Sequence, residues 1–246
     1  MRKLVFTTTL LLFASCAKEA QREEVTANTP CAPDLSDWLK ALKQSTVVGE
    51  PGEFRPLVLD QTNRLYLYRY WNYEQRIAEL LAAFASTDLL DCDADLLEGG
   101  SSRLFPPDSS EELDWQRLAA VTAVLRRFSL ITGGPGTGKT STVLRILALL
   151  LAQSGPRRLR IALSAPTGKA AARLKEAVKQ SKATLELSAE ALVRIPEDAF
   201  TLHRLLGFMP GSNLFRHNRT NPLPFEMIVV DEASMVDLPL MAKLLD

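Results

Sequence analysis

Histidine and cysteine are scarce in this chain. Two histidines (His203 and His217) and three cysteines (Cys16, Cys31 and Cys92) stand among 246 residues, with no C-x-x-C pair. Neither a structural zinc nor a disulfide framework is expected from so few ligands at irregular spacing. An excess of one charge is also missing, since 29 basic side chains face 29 acidic ones. Any affinity for nucleic acid must therefore come from a local basic surface and not from the overall field. What is present is the balance of an ordinary folded protein, 46% hydrophobic and 24% charged, with length enough for one or two cores.

The chain opens with Arg2 and Lys3, an apolar run from Leu4 to Phe13 softened by three threonines, and then Ala14-Ser15-Cys16. This resembles a bacterial lipoprotein signal, although Phe13 stands where that signal usually has leucine. It also fits a plain apolar stretch or a start site assigned too far upstream. About ten residues are too few to span a bilayer. Residues 17–35 are polar, with Pro30 and Pro33 and no period, and read as a linker. Residues 1–34 are thus set apart from a first domain at 35–105. In that domain "PLVLD" and "RLYLYRY" read as a strand pair joined by "DQTN", followed by a helix over "IAELLAAFAS". All four tyrosines (Tyr66, Tyr68, Tyr70 and Tyr73) and Trp71 fall here. Alternation in strands favours packing or interface roles over a base-stacking platform.

Gly, Ser and Pro cluster around residue 100, and a second domain is expected over 106–246. Its first helix, "SSEELDWQRLAAVTAVLRR", is expected to be capped by Ser109 or Ser110. Then "FSLITGG", a short apolar run, leads into Gly133-Gly134-Pro135-Gly136-Thr137-Gly138-Lys139-Thr140, and a helical pattern follows from Thr140. Strand, glycine loop and helix in that order are the context a phosphate-binding loop requires. Glycines let backbone N–H groups turn inward around phosphate, and the helix N-terminus adds its positive end. Lys139 then meets the β and γ phosphates and the Thr140 hydroxyl ligates magnesium. Gly134, Pro135, Gly136, Thr137, Gly138, Lys139, Thr140 and Ser141 are the candidate nucleotide-binding residues.

A partner strand is needed, and "FEMIVVDEASM" supplies it, four apolar residues ending in Asp231 and Glu232. Asp231 is expected to hold magnesium and Glu232 to orient and deprotonate the attacking water. Between the two motifs, "RIALSAPTGKAAARLKEAVKQ" is another strand running into a helix, with Pro166, Thr167, Gly168 and Lys169 at the turn. That turn is suited to a phosphate, which need not be a nucleotide's. Residues 181–200 look like an insertion, and "TLHRLLGF" then places Thr201, His203 and Arg204 at the start of a helix.

These segments, "WQRLAAVTAVLRRFSLITGGPGTGKTSTV", "APTGKAAARL", "IPEDAFTLHRLLG" and "VVDEASMVDLPLM", occur in the order and spacing of one family. The chain resembles RecD, the alpha subunits of bacterial exodeoxyribonuclease V, the RecBCD helicase-nuclease, over about residues 35–246; "LYLYRYWNYE" resembles that family's amino-terminal domain. The resemblance implies an α/β fold: a P-loop RecA-like parallel sheet, incomplete, preceded by a small, mostly helical domain with a short β hairpin. It implies an ATP- and Mg2+-dependent superfamily 1 helicase subunit moving 5′ to 3′ on DNA, in the cytoplasm, within a heterotrimer of RecB-type and RecC-type partners that processes duplex ends for recombinational repair. Gln116 matches the glutamine that recognises adenine; Thr140 and Asp231 match the magnesium residues, and Lys139 and Glu232 the catalytic ones. Pro166, Thr167, Gly168, Lys169, Thr201 and His203 match positions that line the DNA track.

The chain stops at Asp246, fourteen residues after Glu232, whereas the family continues into a second RecA-like domain whose arginines complete the ATP site. Loss of such arginines costs hydrolysis on the order of a thousandfold. The expectation is an amino-terminal fragment able to bind ATP but not to act as a motor alone. A noncatalytic docking or DNA-binding fragment, a fragment of a stand-alone superfamily 1 helicase, and an exported lipoprotein lipidated on Cys16 are the rival readings.

Overall fold

The computed structural model describes residues 3–9 (as backbone), 34–86, 92–106, 113–134, 136–155, 157–212 and 214–246. The chain divides into two compact units, one from residue 79 onward together with residues 3–9, the other around residues 34–78.

The larger unit is built on one sheet. Strands β1 (Lys3–Thr9), β5 (Phe128–Gly133), β6 (Ile161–Ala165), β7 (Ala199–Thr201) and β8 (Met227–Val230) lie side by side in the order β5-β1-β8-β6-β7, every neighbouring pair parallel. All five residues of β6 and all four of β8 are buried. Such unbroken apolar runs are what a parallel sheet covered on both faces demands. The one polar residue among them, Ser164, is satisfied across the sheet: its hydroxyl donates to the Val229 carbonyl at 3.1 Å. Residues 3–9, set apart in the sequence reading as signal-like, are here the strand between β5 and β8. A short apolar run is compatible with a buried strand as well as with an export segment.

Helix α5 (Lys139–Gln153) is the centre of the packing, with Val143, Leu144, Ile146, Leu147, Leu149, Leu150 and Leu151 all buried. It lies among α3 (Ala94–Leu104), α4 (Trp115–Leu125), α6 (Gly168–Thr184) and α7 (Ala189–Arg194). Each of those apolar side chains contributes roughly 1.5–3 kcal/mol on burial, which is why the helix that follows the glycine loop is held rigidly. Leu97, Leu104 and Phe105 belong to the same core, and Phe84 stacks on Phe128 at 6.5 Å. Residues 79–105 therefore pack with the larger unit, and the division of the chain falls nearer residue 79 than residue 105. Helix α4 is capped by Asp114, whose Oδ1 accepts from the Arg117 amide at 2.9 Å. The helix thus starts at Trp115, and the expected caps Ser109 and Ser110 lie outside the described residues.

In the smaller unit, α1 (Leu35–Gln44) precedes β2 (Val48–Gly49) and the hairpin of β3 (Leu57–Leu59) and β4 (Leu65–Leu67). The hairpin turn is fastened by Asp60, which accepts from the amides of Thr62 and Arg64 and from the Arg64 guanidinium at 2.7 Å, while Asn63 adopts φ 62°. The strand stops at Leu67 and Tyr68 begins α2 (Tyr68–Ala85). Three of the four tyrosines are therefore helical, which for Tyr68 and Tyr70 corrects their reading as strand residues. The run after Tyr68 is rich in good helix formers, and these outweigh the short alternation before it. Among the described residues no helix is long and apolar enough to cross a membrane.

The starts of β6 and β8 are tied by Arg160, whose guanidinium donates to Glu226 at 2.6 Å while its own amide donates to the same carboxylate at 2.8 Å. The guanidinium hydrogen bond holds the Glu226 carboxyl down at about 2, against an ordinary 4.5. A depressed carboxyl stabilises the fold fully above pH 4.5 and loses that contribution as pH falls toward 2. Glu226→Gln should flatten the dependence of the urea midpoint on pH within that window, as measured by unfolding titrations at a series of acid pH values.

Candidate nucleotide and nucleic-acid site

Because all five strands run the same way, their carboxyl ends share one edge of the sheet, and that edge is where open α/β sheets bind ligands. The glycine loop follows β5, Pro166 and Thr167 follow β6, Thr201 ends β7, and Asp231 and Glu232 follow β8. Four segments separated by up to a hundred residues are thus brought to one rim.

In the loop itself, Gly136 and Gly138 have φ 76° and 78°, a left-handed conformation that costs side-chain-bearing residues on the order of 1–2 kcal/mol. A Cβ on Gly138 would lie 3.1 Å from Gln116 Nε2 and 3.1 Å from Ser141 Oγ, and a Cβ on Gly133 only 2.7 Å from Thr137 Oγ1. Gly138 is thus constrained by φ and by close approach, Gly136 by φ, and Gly133 by close approach. Lys139 Nζ donates to the carbonyls of Gly133 at 2.9 Å and Gly134 at 2.6 Å, so its ammonium is folded over the loop. Thr137 Oγ1 donates to the Gly134 carbonyl at 3.0 Å, and Ser141 Oγ to the Gly138 carbonyl at 2.7 Å. Thr140 sits half-buried in the first turn of α5. Pro135 lies outside the described residues.

Gln116, on the first turn of α4, reaches the loop: its Nε2 donates to the Thr137 carbonyl at 3.1 Å. Asp231 and Glu232 are half-buried at the end of β8, and the Asp231 amide donates to the Ser164 carbonyl at 2.9 Å, locking it to β6. Glu232 has φ 52° and leads into a tight 3-10 turn at Ala233–Met235. A glutamate in the left-handed region is strained, and such strain is stored where a side chain must be aimed.

Two of the candidate nucleic-acid residues, Thr167 and Thr201, are helix caps. The Thr167 hydroxyl accepts from the Ala170 amide at the start of α6, and the Thr201 hydroxyl from the Arg204 amide at the start of α8 (Leu202–Leu206), both at 3.2 Å. Gly168 and Lys169 are exposed and Pro166 half-buried. His203 is exposed and lies among aromatic rings, 6.0 Å from Phe208 and 5.7 Å from Phe215, with Lys243 Nζ 4.6 Å from the Phe215 ring centre. Phe208, Phe215 and Lys243 carry no signature in the sequence, because the pairing of Phe208 with Phe215 closes a loop with no regular period. Arg145, whose Nη1 donates to Gln116 Oε1 at 3.2 Å, was likewise invisible inside an apolar helix.

The AAA domain family matches residues 116–246, and the family described as RecBCD enzyme subunit RecD, N-terminal domain, matches residues 6–66. The chain is 47% identical over 217 residues to the RecBCD enzyme subunit RecD of Mycobacterium tuberculosis (strain ATCC 25618 / H37Rv), spanning 86% of this chain and 35% of that protein. It is 39% identical over 219 residues to the protein of the same name from Haemophilus influenzae, spanning 86% and 34%. To the ATP-dependent RecD2 DNA helicase of Deinococcus radiodurans it is 33% identical over 183 residues, spanning 74% and 22%. The chain spans about a third of the length of the first two of these curated relatives.

Gly138→Ala should weaken nucleotide binding at least tenfold, whereas Gly211→Ala, at φ 78° with open space around its Cβ, should leave binding unchanged. Both should lower the thermal midpoint by a few degrees, about what 1 kcal/mol does in a chain of this size. Fluorescent-nucleotide titration and thermal melting check the pair.

Proposed function

The chain belongs to the AAA domain family, and from that premise we propose that it is the ATP-binding part of a DNA helicase subunit of the RecBCD type, acting at duplex ends in recombinational repair. The observation that carries this reading is the shared rim, where the glycine loop follows β5 and the Asp231-Glu232 pair follows β8, two parallel strands of one sheet with β1 between them. Within it Lys139 exchanges the Gly133 and Gly134 carbonyls for phosphate oxygens, which are better acceptors for an ammonium. Backbone N–H groups of the loop and the positive end of α5 would complete the anion site.

Oxygen donors fit magnesium, and Mg2+ is ordinarily held by one or two protein oxygens together with substrate phosphates. Thr140 and Asp231 would supply those oxygens here; the ion, when bound, neutralises charge building on the transferred phosphoryl group. Among the described residues no cluster of three or more His, Cys, Asp or Glu is found, so the site does not resemble an all-protein metal cage. Glu232 is the group that takes a proton from the attacking water, and Gln116 is the reader of the adenine edge.

DNA is the proposed second ligand of the same rim. Thr167, Gly168, Lys169, Thr201 and His203 lie at the ends of β6 and β7, and the exposed Lys169 and Arg204 provide local positive charge in a chain of zero net charge. The family partners would be RecB-type and RecC-type subunits in the cytoplasm. Exposed apolar side chains of the smaller unit support a docking role: Leu35, Trp38, Val47, Phe54 and Leu67 are all exposed, Phe54 at 88%. A stand-alone helicase is the second reading, favoured by the similarity to the RecD2 DNA helicase.

Lys139→Ala should weaken Mg·ATP binding about a hundredfold, while Glu232→Gln should bind ATP as tightly as the unaltered chain and show no turnover with single-stranded DNA. Lys169→Ala should weaken binding to any single-stranded sequence and reduce the salt slope by about 1. Calorimetric titration of ATP and fluorescence anisotropy of labelled DNA check these outcomes; ATP binding of unaltered strength in Lys139→Ala would contradict the reading.

A further inference from the structure

Gln116 is held from both ends of its carboxamide. Nε2 donates to the Thr137 carbonyl at 3.1 Å, and Oε1 accepts from Arg145 Nη1 at 3.2 Å. The chemistry dictates which end is which: a guanidinium only donates and so must face the oxygen, and a backbone carbonyl only accepts and so must face the NH2 group. One such partner already favours that orientation. With both, it has a single orientation.

Arg145 is itself held in place. It stands six residues after Lys139 on the same helix, between buried Leu144 and Ile146, and its guanidinium lies over the Phe105 ring at 4.8 Å. Its Nε is buried without a hydrogen-bond partner among the described residues. A buried donor left unpaired is costly, and an apolar side chain would fill the same space without that cost. The contact its guanidinium does make by hydrogen bond is that of Nη1 with the Gln116 oxygen.

We propose that Arg145 is a specificity-positioning residue that sets the Gln116 carboxamide to select adenine over guanine, an inference that rests on the reading of this rim as an adenine-nucleotide site. A primary amide has two N–H donors and two oxygen lone pairs. The Thr137 carbonyl uses one donor and Arg145 uses one lone pair, which leaves one donor and one acceptor in a fixed order. Adenine offers the complement on its exposed edge, an amino donor at N6 and an acceptor at N7; guanine offers two acceptors, O6 and N7, and sets oxygen against oxygen. Without Arg145 the order rests on the Thr137 carbonyl alone, the oxygen end of the amide is free to tilt away from the base edge, and the preference for adenine falls while the phosphate grip is untouched.

The test is the ratio of dissociation constants for fluorescent ATP and GTP analogues with Mg2+, measured on the whole chain. Arg145→Met should weaken ATP binding about five- to tenfold, the worth of one hydrogen bond, and leave GTP binding within about twofold. Arg145→Lys, which keeps a donor for Oε1, should recover part of the ratio. Gln116→Ala should lose the ratio by itself, and adding Arg145→Met to it should change nothing further. Lys139→Ala should weaken both nucleotides alike. Equal weakening of ATP and GTP in Arg145→Met and Arg145→Lys would reduce Arg145 to a packing residue and overturn the proposal, as would an unchanged ratio in both variants. An unaltered chain that binds neither nucleotide would overturn the adenine-site reading and this inference with it.

Discussion

Parallel pairing of the five strands is the constraint from which the site follows. Parallel strands need a crossover between each pair, and those crossovers are helices that cover both faces of the sheet. The same arrangement puts every carboxyl end at one rim, so residues as far apart in sequence as Lys139, Thr167, Thr201 and Asp231 share an edge. Burial of α5 makes the arrangement stiff where it matters. The helix carries Lys139 and Thr140 on its first turn and Arg145 half-buried on its second, and its apolar residues leave it little freedom to shift.

The loop is satisfied by its own atoms. Lys139 takes two carbonyls, Thr137 and Ser141 take one each, and Gln116 takes the Thr137 carbonyl from outside. Phosphate binding is then an exchange of partners for Lys139. On the proposed reading Gln116 and Arg145, which do not contact the Lys139 ammonium, would keep their partners in that exchange. Glu232 shows a different economy: its backbone is strained at φ 52°, and the strain is borne by the buried strand before it and the tight turn after it.

Much of this was legible in the residues. The glycine loop, the apolar strand ending in Asp231-Glu232, and the hydroxyls of Thr167 and Thr201 at helix starts are short-range patterns in which type and spacing carry the meaning. The division of the chain was not legible, because Leu97, Leu104 and Phe105 join the larger core through contacts with α5 that no local pattern announces. The strand over residues 3–9 was hidden for a similar reason: a short apolar run with threonines fits an export segment and a strand equally. At Tyr68 a short alternation gave way to a long helical pattern, and the longer pattern won. The link from Gln116 to Arg145 spans 29 residues and an apolar helix, so only the fold brings it into view.

Amide hydrogen exchange of the whole chain with and without Mg·ATP tests the account most directly, since it reads every segment at once. Protection confined to residues 133–142, the start of α4 around Gln116 and the turn after β8 at 231–235 is the expected result. Protection of the hairpin at 57–67 in place of the glycine loop, or no change anywhere at saturating nucleotide, would contradict the claim that the shared rim of the parallel sheet is a nucleotide site.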